Sequence, residues 1–475
     1  MSSHRVVHRL LWFLVTTVFA LTSVFLYEKL QDVLSHPSSV YHYTLVQSLH
    51  NSTKSDDIYS QLSRQALDIS HDIWLMSRSA RDSKEFRSQL EDMSIQLEAR
   101  ISVMDRISGE SERRRIQLIR LAELLERQLD RLQNPPDCGK AKFIVTDLPY
   151  CGFGCQVHHV ALCLQLAYAH NRTLFVNGQN WFDIFYPVTN CSNPGPDATY
   201  QPIVKVGVSA GPSAPPGLTK TWADALRHLH GSPYAWFRGH LVRFILRFKP
   251  TTFRKQLFAG LESAHSMPLV GVHVRRTDKI ISEAKAYPIS RYMEKVEWAY
   301  RKLQIEEELF PLGQRLEKKV FLASDDARVF SEARDLYPSF TFIGDENRGK
   351  SYWTRNLRRG VQNVVFDVFS LANCDYVVCT FSSNVCRLVY ELLLTDVRVH
   401  GDRSAHVKSV DEPYFMHGQQ RRSWRVLSDI PGGGIKQGDN VTVSRNLWNG
   451  SIVTDRGIIL PAYLVQENIP LLPPD

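Results

Sequence analysis

His273-Val-Arg275-Arg276-Thr-Asp278-Lys279, followed by Glu283, brings an imidazole, two guanidinium groups, an ammonium and two carboxylates into one short stretch. A planar guanidinium forks onto two phosphate oxygens better than any other side chain, so Arg275 and Arg276 are a candidate phosphate clamp. A carboxylate beside an acceptor hydroxyl can act as general base, and Glu283 is one such group, with Asp278 next in line. Glu283 could instead pair with Lys279 and only hold the loop. Two arginines at a strand end are often plain surface charge. The imidazole and carboxylates around this pair point to a ligand site.

The preceding residues explain how such a cluster is held. Leu269–Val274 is a β-branched-rich run with one glycine, the composition of a strand buried on both faces, and it stops at the arginines. In open α/β sheets ligands sit beyond the carboxyl ends of the strands. Three other segments share this form. Phe143-Ile-Val is a short strand leading into Asp147-Leu-Pro-Tyr-Cys151-Gly-Phe-Gly154-Cys155-Gln-Val-His-His159 and then a helix-like Val160–Ala169. Its glycines permit a tight turn, and backbone N–H groups at the helix start can meet a phosphate. Lys319–Asp326 is a strand ending in Asp325 and Asp326. Tyr376–Thr380 is a further strand, after an apolar helix-length run from Gly360, and its loop opens a helix over Val385–Leu394. Ser382 and Ser383 suit the cap of that helix, whose start can hold a phosphate or a ribose.

The arginine stretch resembles the donor-binding motif of the eukaryotic α-1,6-fucosyltransferases, which add core fucose to N-glycans. Protein O-fucosyltransferases share a looser form of it. The neighbouring motifs narrow the resemblance: Cys151-Gly-Phe-Gly-Cys155-Gln-Val-His-His159 and Gln179-Asn-Trp181 precede it, and Cys379-Thr-Phe-Ser-Ser-Asn-Val-Cys386-Arg387 follows in the same order. The resemblance covers about Cys138 to Glu467, and the order of the motifs makes it specific. It implies GDP-fucose contacts from Gly154, His273, Arg275, Arg276, Asp367 (at the guanine), Ser382 and Ser383. It implies catalytic roles for Glu283 as base, Lys279 beside it and Arg275 at the departing diphosphate. Asp278, Asp325, Asp326 and Asp411 are expected at the acceptor. Three disulfides are expected: Cys138–Cys191, Cys151–Cys155 and Cys379–Cys386. The family has a partner for Cys163 in the strand where this chain has Ile144-Val145, so Cys163 is expected either free or paired with Cys374.

The rest of the chain frames this core. Residues 1–9 are a basic tail, and 10–27 form an uncharged run with Trp12 and Tyr27 near its ends and Arg5 and Arg9 before it. That is the pattern of an uncleaved membrane anchor with a cytoplasmic N-terminus. The sequons at Asn51, Asn171, Asn190, Asn440 and Asn449 and the eight cysteines suit an oxidising lumen. Residues 28–137 are a stem. Phe86, Leu90, Met93, Leu97, Met104 and Ile107 follow a coiled-coil spacing interrupted by Arg100; Leu118, Ala122, Leu125, Leu129 and Leu132 resume it after Ser108-Gly109. The same pattern fits two amphipathic helices folded back on their own catalytic domain. Residues 138–410 are the catalytic region. Residues 192–217 form a Pro-, Gly- and Ser-rich connection, and Leu218–Arg247 is helical. Residues 418–470, with Trp448 and Pro461-Ala-Tyr463, alternate like an SH3-like β-barrel.

The expected fold class is therefore α/β: a GT-B-like, two-lobed glycosyltransferase with a Rossmann-like donor lobe, an N-terminal transmembrane helix, a coiled-coil stem and a C-terminal SH3-like barrel. The net charge of +8 and pI near 9.0 suit an anionic substrate or an acidic surface, and its scattering argues against nucleic acid. The resemblance implies inverting transfer of L-fucose from GDP-β-L-fucose to the 6-hydroxyl of the innermost Asn-linked N-acetylglucosamine, in the Golgi membrane, by a homodimer joined through the stem. No metal or other cofactor is expected, since two arginines supply the charge that Mg²⁺ would bring and Asp325-Asp326 lacks Asp-x-Asp spacing. Two other readings stand beside it. A protein O-fucosyltransferase would lack the stem and cap, and a non-enzymatic glycan-binding relative would be expected to have lost Arg275 or Glu283. The SH3-like region departs from the family, with Leu447 before Trp448 and no lysine over Asn449–Thr454, which bears on acceptor-branch preference.

Overall fold

A computed structural model describes residues 64, 67, 68, 84–178, 183–194, 198–200, 217–251, 253–257, 268–276, 286–311, 313, 316–348, 358–396, 401–411, 414, 423–429, 434–446, 451–461 and 464–469. The expected anchor lies outside them, and no helix of the described residues is long and apolar enough to cross a membrane.

Two helices come first, α1 (Lys84–Ile107) and α2 (Glu110–Gln133). Gly109 between them has φ 75°, the left-handed conformation that glycine adopts without steric cost. A three-stranded parallel sheet follows, in the order β2 (Thr173–Asn177), β1 (Phe143–Asp147), β3 (Thr199–Tyr200). Helix α3 (Phe153–Ala169) links β1 to β2. It is apolar almost all round and nearly every residue is buried, as expected of a helix with no solvent face. It begins at Phe153, well before the Val160 expected from sequence.

Helices α4 (Lys220–Leu226) and α5 (Pro233–Ile245) lead to the second sheet. Its strands are β4 (Val270–Val274), β5 (Lys319–Ser324), β6 (Thr341–Ile343), β7 (Tyr376–Cys379) and β8 (Val407–Ser409), all parallel, in the order β6-β5-β4-β7-β8. The crossovers contain α6 (Ile289–Leu309), α7 (Arg328–Leu336), α8 (Arg358–Ala372) and α9 (Asn384–Leu394). Helices on both faces explain why β4 is buried at all five positions. A side chain at Gly271 would meet Leu371 and Cys374, so glycine lets α8 approach the central strand.

The last part is an antiparallel sheet in the order β12 (Ile459–Pro461), β11 (Ser451–Thr454), β10 (Asn440–Asn446), β9 (Ser423–Val426), β13 (Val465–Glu467), with a bulge between Val443 and Arg445. Trp424, Val426, Ile435, Val441, Ile452, Leu460 and Val465 form its own core. Trp448 and Tyr463 lie outside the described residues.

Of the two readings of the stem, the described helices follow the fold-back one. Helix α1 buries Ile95, Ala99 and Val103 against the body containing α6, and α2 buries Leu118, Leu125 and Leu129 in the main core. The α1 residues of the coiled-coil spacing sit on another face: Met93, Leu97, Met104 and Ile107 are 60%, 43%, 38% and 44% exposed. The side chains of Phe86 and Leu90 are outside the described residues.

All three expected disulfides are present: Cys138–Cys191, Cys151–Cys155 and Cys379–Cys386. Cys163 and Cys374 do not pair; each is a free, buried thiol. Cys163 lies by His159 at 3.6 Å, and burial pushes its thiol up to about 12.

Candidate active site

The carboxyl ends of β4, β5 and β7 and the N-termini of α3 and α9 supply the described part of the site. His273 stands on β4 opposite Ala323 of β5 and is 6% exposed. Burial lowers its pKa to about 4, with Arg275 acting in the same direction and Asp325 against it, so it is a neutral imidazole at neutral pH. Its Nδ1 is buried and makes no hydrogen bond among the described groups.

The two arginines part company beyond the strand. Arg275 is ion-paired to Asp325 at 2.7 Å, with both side chains mostly buried, at 16% and 14% exposed. The backbone N–H of Arg276 donates to the other Asp325 oxygen at 2.8 Å. The Arg276 guanidinium turns to α7, where it forks onto both oxygens of Glu332 and donates to the Tyr287 carbonyl at 3.3 Å. Arg276 thus braces the β4 end against α7, and Arg275 is the arginine held beside His273 and Asp325.

The expected acceptor carboxylates are likewise drawn into the protein. Asp325 organises the arginine loop. Asp326, just ahead of α7, accepts from the Arg328 N–H at 3.1 Å and its guanidinium at 2.9 and 3.0 Å. Asp411 is buried beneath the β7–α9 loop, accepting from the Ser409 hydroxyl at 2.8 Å and the Ser382 N–H at 3.4 Å. Asp278, Lys279 and Glu283 lie outside the described residues.

Ser382 and Ser383 are buried in that loop, and Ser383 is the cap residue of α9 without a side-chain capping bond. Gly154, in the first turn of α3, faces the first residue of α9. A Cβ there would lie 3.2 Å from the Asn384 Cβ and 3.3 Å from its carbonyl carbon and oxygen. Glycine at 154 therefore allows two helix N-termini to touch, each with unsatisfied N–H groups and the positive end of its dipole. Asp367, on α8, pairs with Arg348 at 3.1 Å. Burial raises its carboxyl to about 6, against the pull of Arg348.

Glu332 and Arg348 escaped the sequence reading. Their partners are 56 and 19 residues away, and an acid or a base on a helix carries no local mark of that pairing.

Residues 25–415 match the family model for alpha-(1,6)-fucosyltransferase N- and catalytic domains. The chain belongs to this family. It is 35% identical over 386 residues to an alpha-(1,6)-fucosyltransferase of Drosophila melanogaster, covering 74% of this chain and 60% of the fly protein. It is 30% identical over 364 residues to one of Caenorhabditis elegans, covering 70% and 64% respectively. The match thus spans about three fifths of the length of these relatives. A solved NodZ alpha-1,6-fucosyltransferase co-crystallised with GDP overlaps 53% of this chain and 92% of its own, at 17% identity and a TM-score of 0.31, too distant to carry an argument.

Proposed function

We propose that this chain transfers L-fucose, with inversion, from GDP-β-L-fucose to the 6-hydroxyl of the innermost Asn-linked N-acetylglucosamine of N-glycans. Family membership gives the reaction class. The observation that carries the donor assignment is Arg275, held by Asp325 at the carboxyl end of the central strand and next to neutral His273. The α3 and α9 N-termini add donors suited to a diphosphate.

Inversion in a single displacement needs a base on the acceptor hydroxyl and a cation on the leaving group. Glu283 takes the first role, with Lys279 steering it and Asp278 toward the acceptor, and Arg275 takes the second. Arg276 acts by bracing the loop. Asp367 receives the guanine, Ser382, Ser383 and Gly154 border the phosphates and ribose, and Asp325, Asp326 and Asp411 support the acceptor side through the loops they hold. Arg275 supplies the charge that a divalent ion would bring, so turnover should survive a chelator.

The frame belongs to the same proposal: a GT-B-like pair of lobes over 138–410, an SH3-like cap over 418–470, a stem over 28–137 and a Golgi membrane anchor over 10–27 after the tail 1–9. The exposed stripe of Met93, Leu97, Met104 and Ile107 supports a homodimer through the stem, since side chains of this size at this spacing bury area when helices pair. The decisive experiment incubates the lumenal fragment with GDP-fucose and a defined N-glycopeptide. Mass spectrometry should find one deoxyhexose on the innermost residue; fucose on a peptide hydroxyl, or none, would overturn the reading.

A further inference from the structure

A buried polar network joins the two sheets directly behind the proposed diphosphate site. His158 of α3 is 1% exposed, and Arg238 of α5 and Glu391 of α9 are each 0% exposed. His158 Nε2 lies 3.1 Å from Glu391 Oε2, and Arg238 Nε lies 3.4 Å from Glu391 Oε1. Tyr414 donates its hydroxyl to Glu391 as well, and Arg238 donates to the His158 carbonyl and the Tyr234 hydroxyl, each at 3.4 Å. Burial alone would raise the Glu391 carboxyl; His158, Arg238 and Tyr414 together bring it below the ordinary range.

Charge buried to this degree is a poor way to gain stability, because desolvation offsets much of the attraction. What a fully bonded network does well is hold one geometry. The geometry here leads to the site. The second ring nitrogen of His158, Nδ1, lies 3.2 Å from Oδ1 of Asn384, the first residue of α9, where Arg387 also donates at 3.4 Å. One turn earlier on α3, Gly154 packs on the same Asn384. A single imidazole thus ties the second turn of a helix from one sheet to the first residue of a helix from the other.

We infer that His158 is a positioning residue for the donor: by holding Asn384 against Glu391 it sets the spacing of the α3 and α9 N-termini that receive the diphosphate. This rests on the GDP-fucose reading. It assigns to His158, Arg238 and Glu391 a share in donor affinity without contact with the donor. The acceptor side is untouched.

The test is calorimetric titration of GDP into the lumenal protein, with donor and acceptor KM measured separately. His158→Leu removes the tie and leaves Glu391 with Arg238 and Tyr414. It should weaken GDP binding about tenfold or more, since small misplacements at a site are costly. Donor KM should rise with it while acceptor KM stays within about twofold. His158→Gln, which keeps one hydrogen bond, should recover most of the loss. Because His158 acts through Asn384, the double variant His158→Leu/Asn384→Ala should be about as weak as the weaker single variant. GDP affinity within about twofold of wild type in a folded His158→Leu protein, or additive losses in the double variant, would overturn the inference. If His158→Leu does not fold, His158→Ala with Asn384→Ala completes the same cycle. Wild-type protein that binds no GDP would instead sink the underlying donor reading.

Discussion

Arg275 supports the fold through Asp325 and, in the proposed mechanism, the reaction through its charge, and the two roles can be separated. The pair is 2.7 Å apart and both side chains are mostly buried. Arg275→Ala therefore deprives Asp325 of a charged hydrogen-bond partner, at a cost of about 1.5–3 kcal/mol. Thermal unfolding should show this as a drop of several degrees. In turnover the same change removes a cation from the leaving diphosphate, where one preorganised donor contributes about 10²–10³-fold. Arg275→Ala/Asp325→Asn removes the stranded charge and keeps an oxygen for the Arg276 N–H. It should regain much of the lost melting temperature and none of the lost turnover. The assay pairs calorimetric unfolding with GDP titration and initial rates on an N-glycopeptide. A double variant that regains turnover as it regains stability would show that Arg275 serves only to hold Asp325, and the transition-state role would fall.

Glu283→Gln keeps shape and hydrogen bonding but cannot take a proton, so turnover should drop roughly 10²–10⁴-fold with donor affinity near wild type; retained turnover would move the base to Asp278. Asp367 has its carboxyl raised to about 6, so if its carboxylate accepts from guanine, GDP affinity should rise with pH through that value, and Asp367→Asn should abolish the step. Because the folded pKa lies above the unfolded one, this group's contribution to stability is present below about pH 4 and lost as pH rises through about 6, which unfolding across that window checks. His273 behaves oppositely: lowered to about 4, it contributes stability above the unfolded value of about 6.5 that is lost as pH falls toward 4, and His273→Gln should flatten that acid limb. Leu97→Glu/Met104→Glu alters side chains that are 43% and 38% exposed, so sedimentation should shift from dimer to monomer with the melting temperature of the body little changed. An unaltered sedimentation profile would remove the stem stripe from the interface.

Much of this molecule is legible in local pattern. The runs at Leu269–Val274, Lys319–Asp326 and Tyr376–Thr380 read as strands, the first by its β-branched residues as one covered on both faces, and the structure has strands of one parallel sheet at Val270–Val274, Lys319–Ser324 and Tyr376–Cys379. The rule that ligands gather at carboxyl strand ends singled out His273, Arg275 and Arg276 as candidates, and all three lie at or just past the end of β4. Cap preference put Ser382 and Ser383 at a strand-to-helix turn, and Ser383 does stand at the cap of α9, although its side chain makes no capping bond. These inferences work because backbone geometry and side-chain type act within a few residues of each other.

Partner choice is decided elsewhere. Arg275 and Arg276 are adjacent and chemically identical, yet just past the end of β4 one pairs with Asp325 and the other with Glu332, because each side chain meets a different neighbouring element. Asp325 and Asp326 divide in the same way between the arginine loop and Arg328 at the start of α7. The stem spacing could not say which of two apolar faces packs, since Ile95-Ala99-Val103 and Met93-Leu97-Met104 share one helix at nearly the same period; the body against α6 selected the first. Cys163 and Cys374 remain thiols for a geometric reason that composition does not hold, since a disulfide demands close Cβ atoms with matching directions. The tie from His158 to Glu391 and Asn384 spans 233 and 226 residues of chain, and only packing of α3 against α9 creates it. Residue types and short-range order thus determined the strands and the class of chemistry, while tertiary packing decided which charges pair with which, because that choice depends on neighbours the local sequence does not contain.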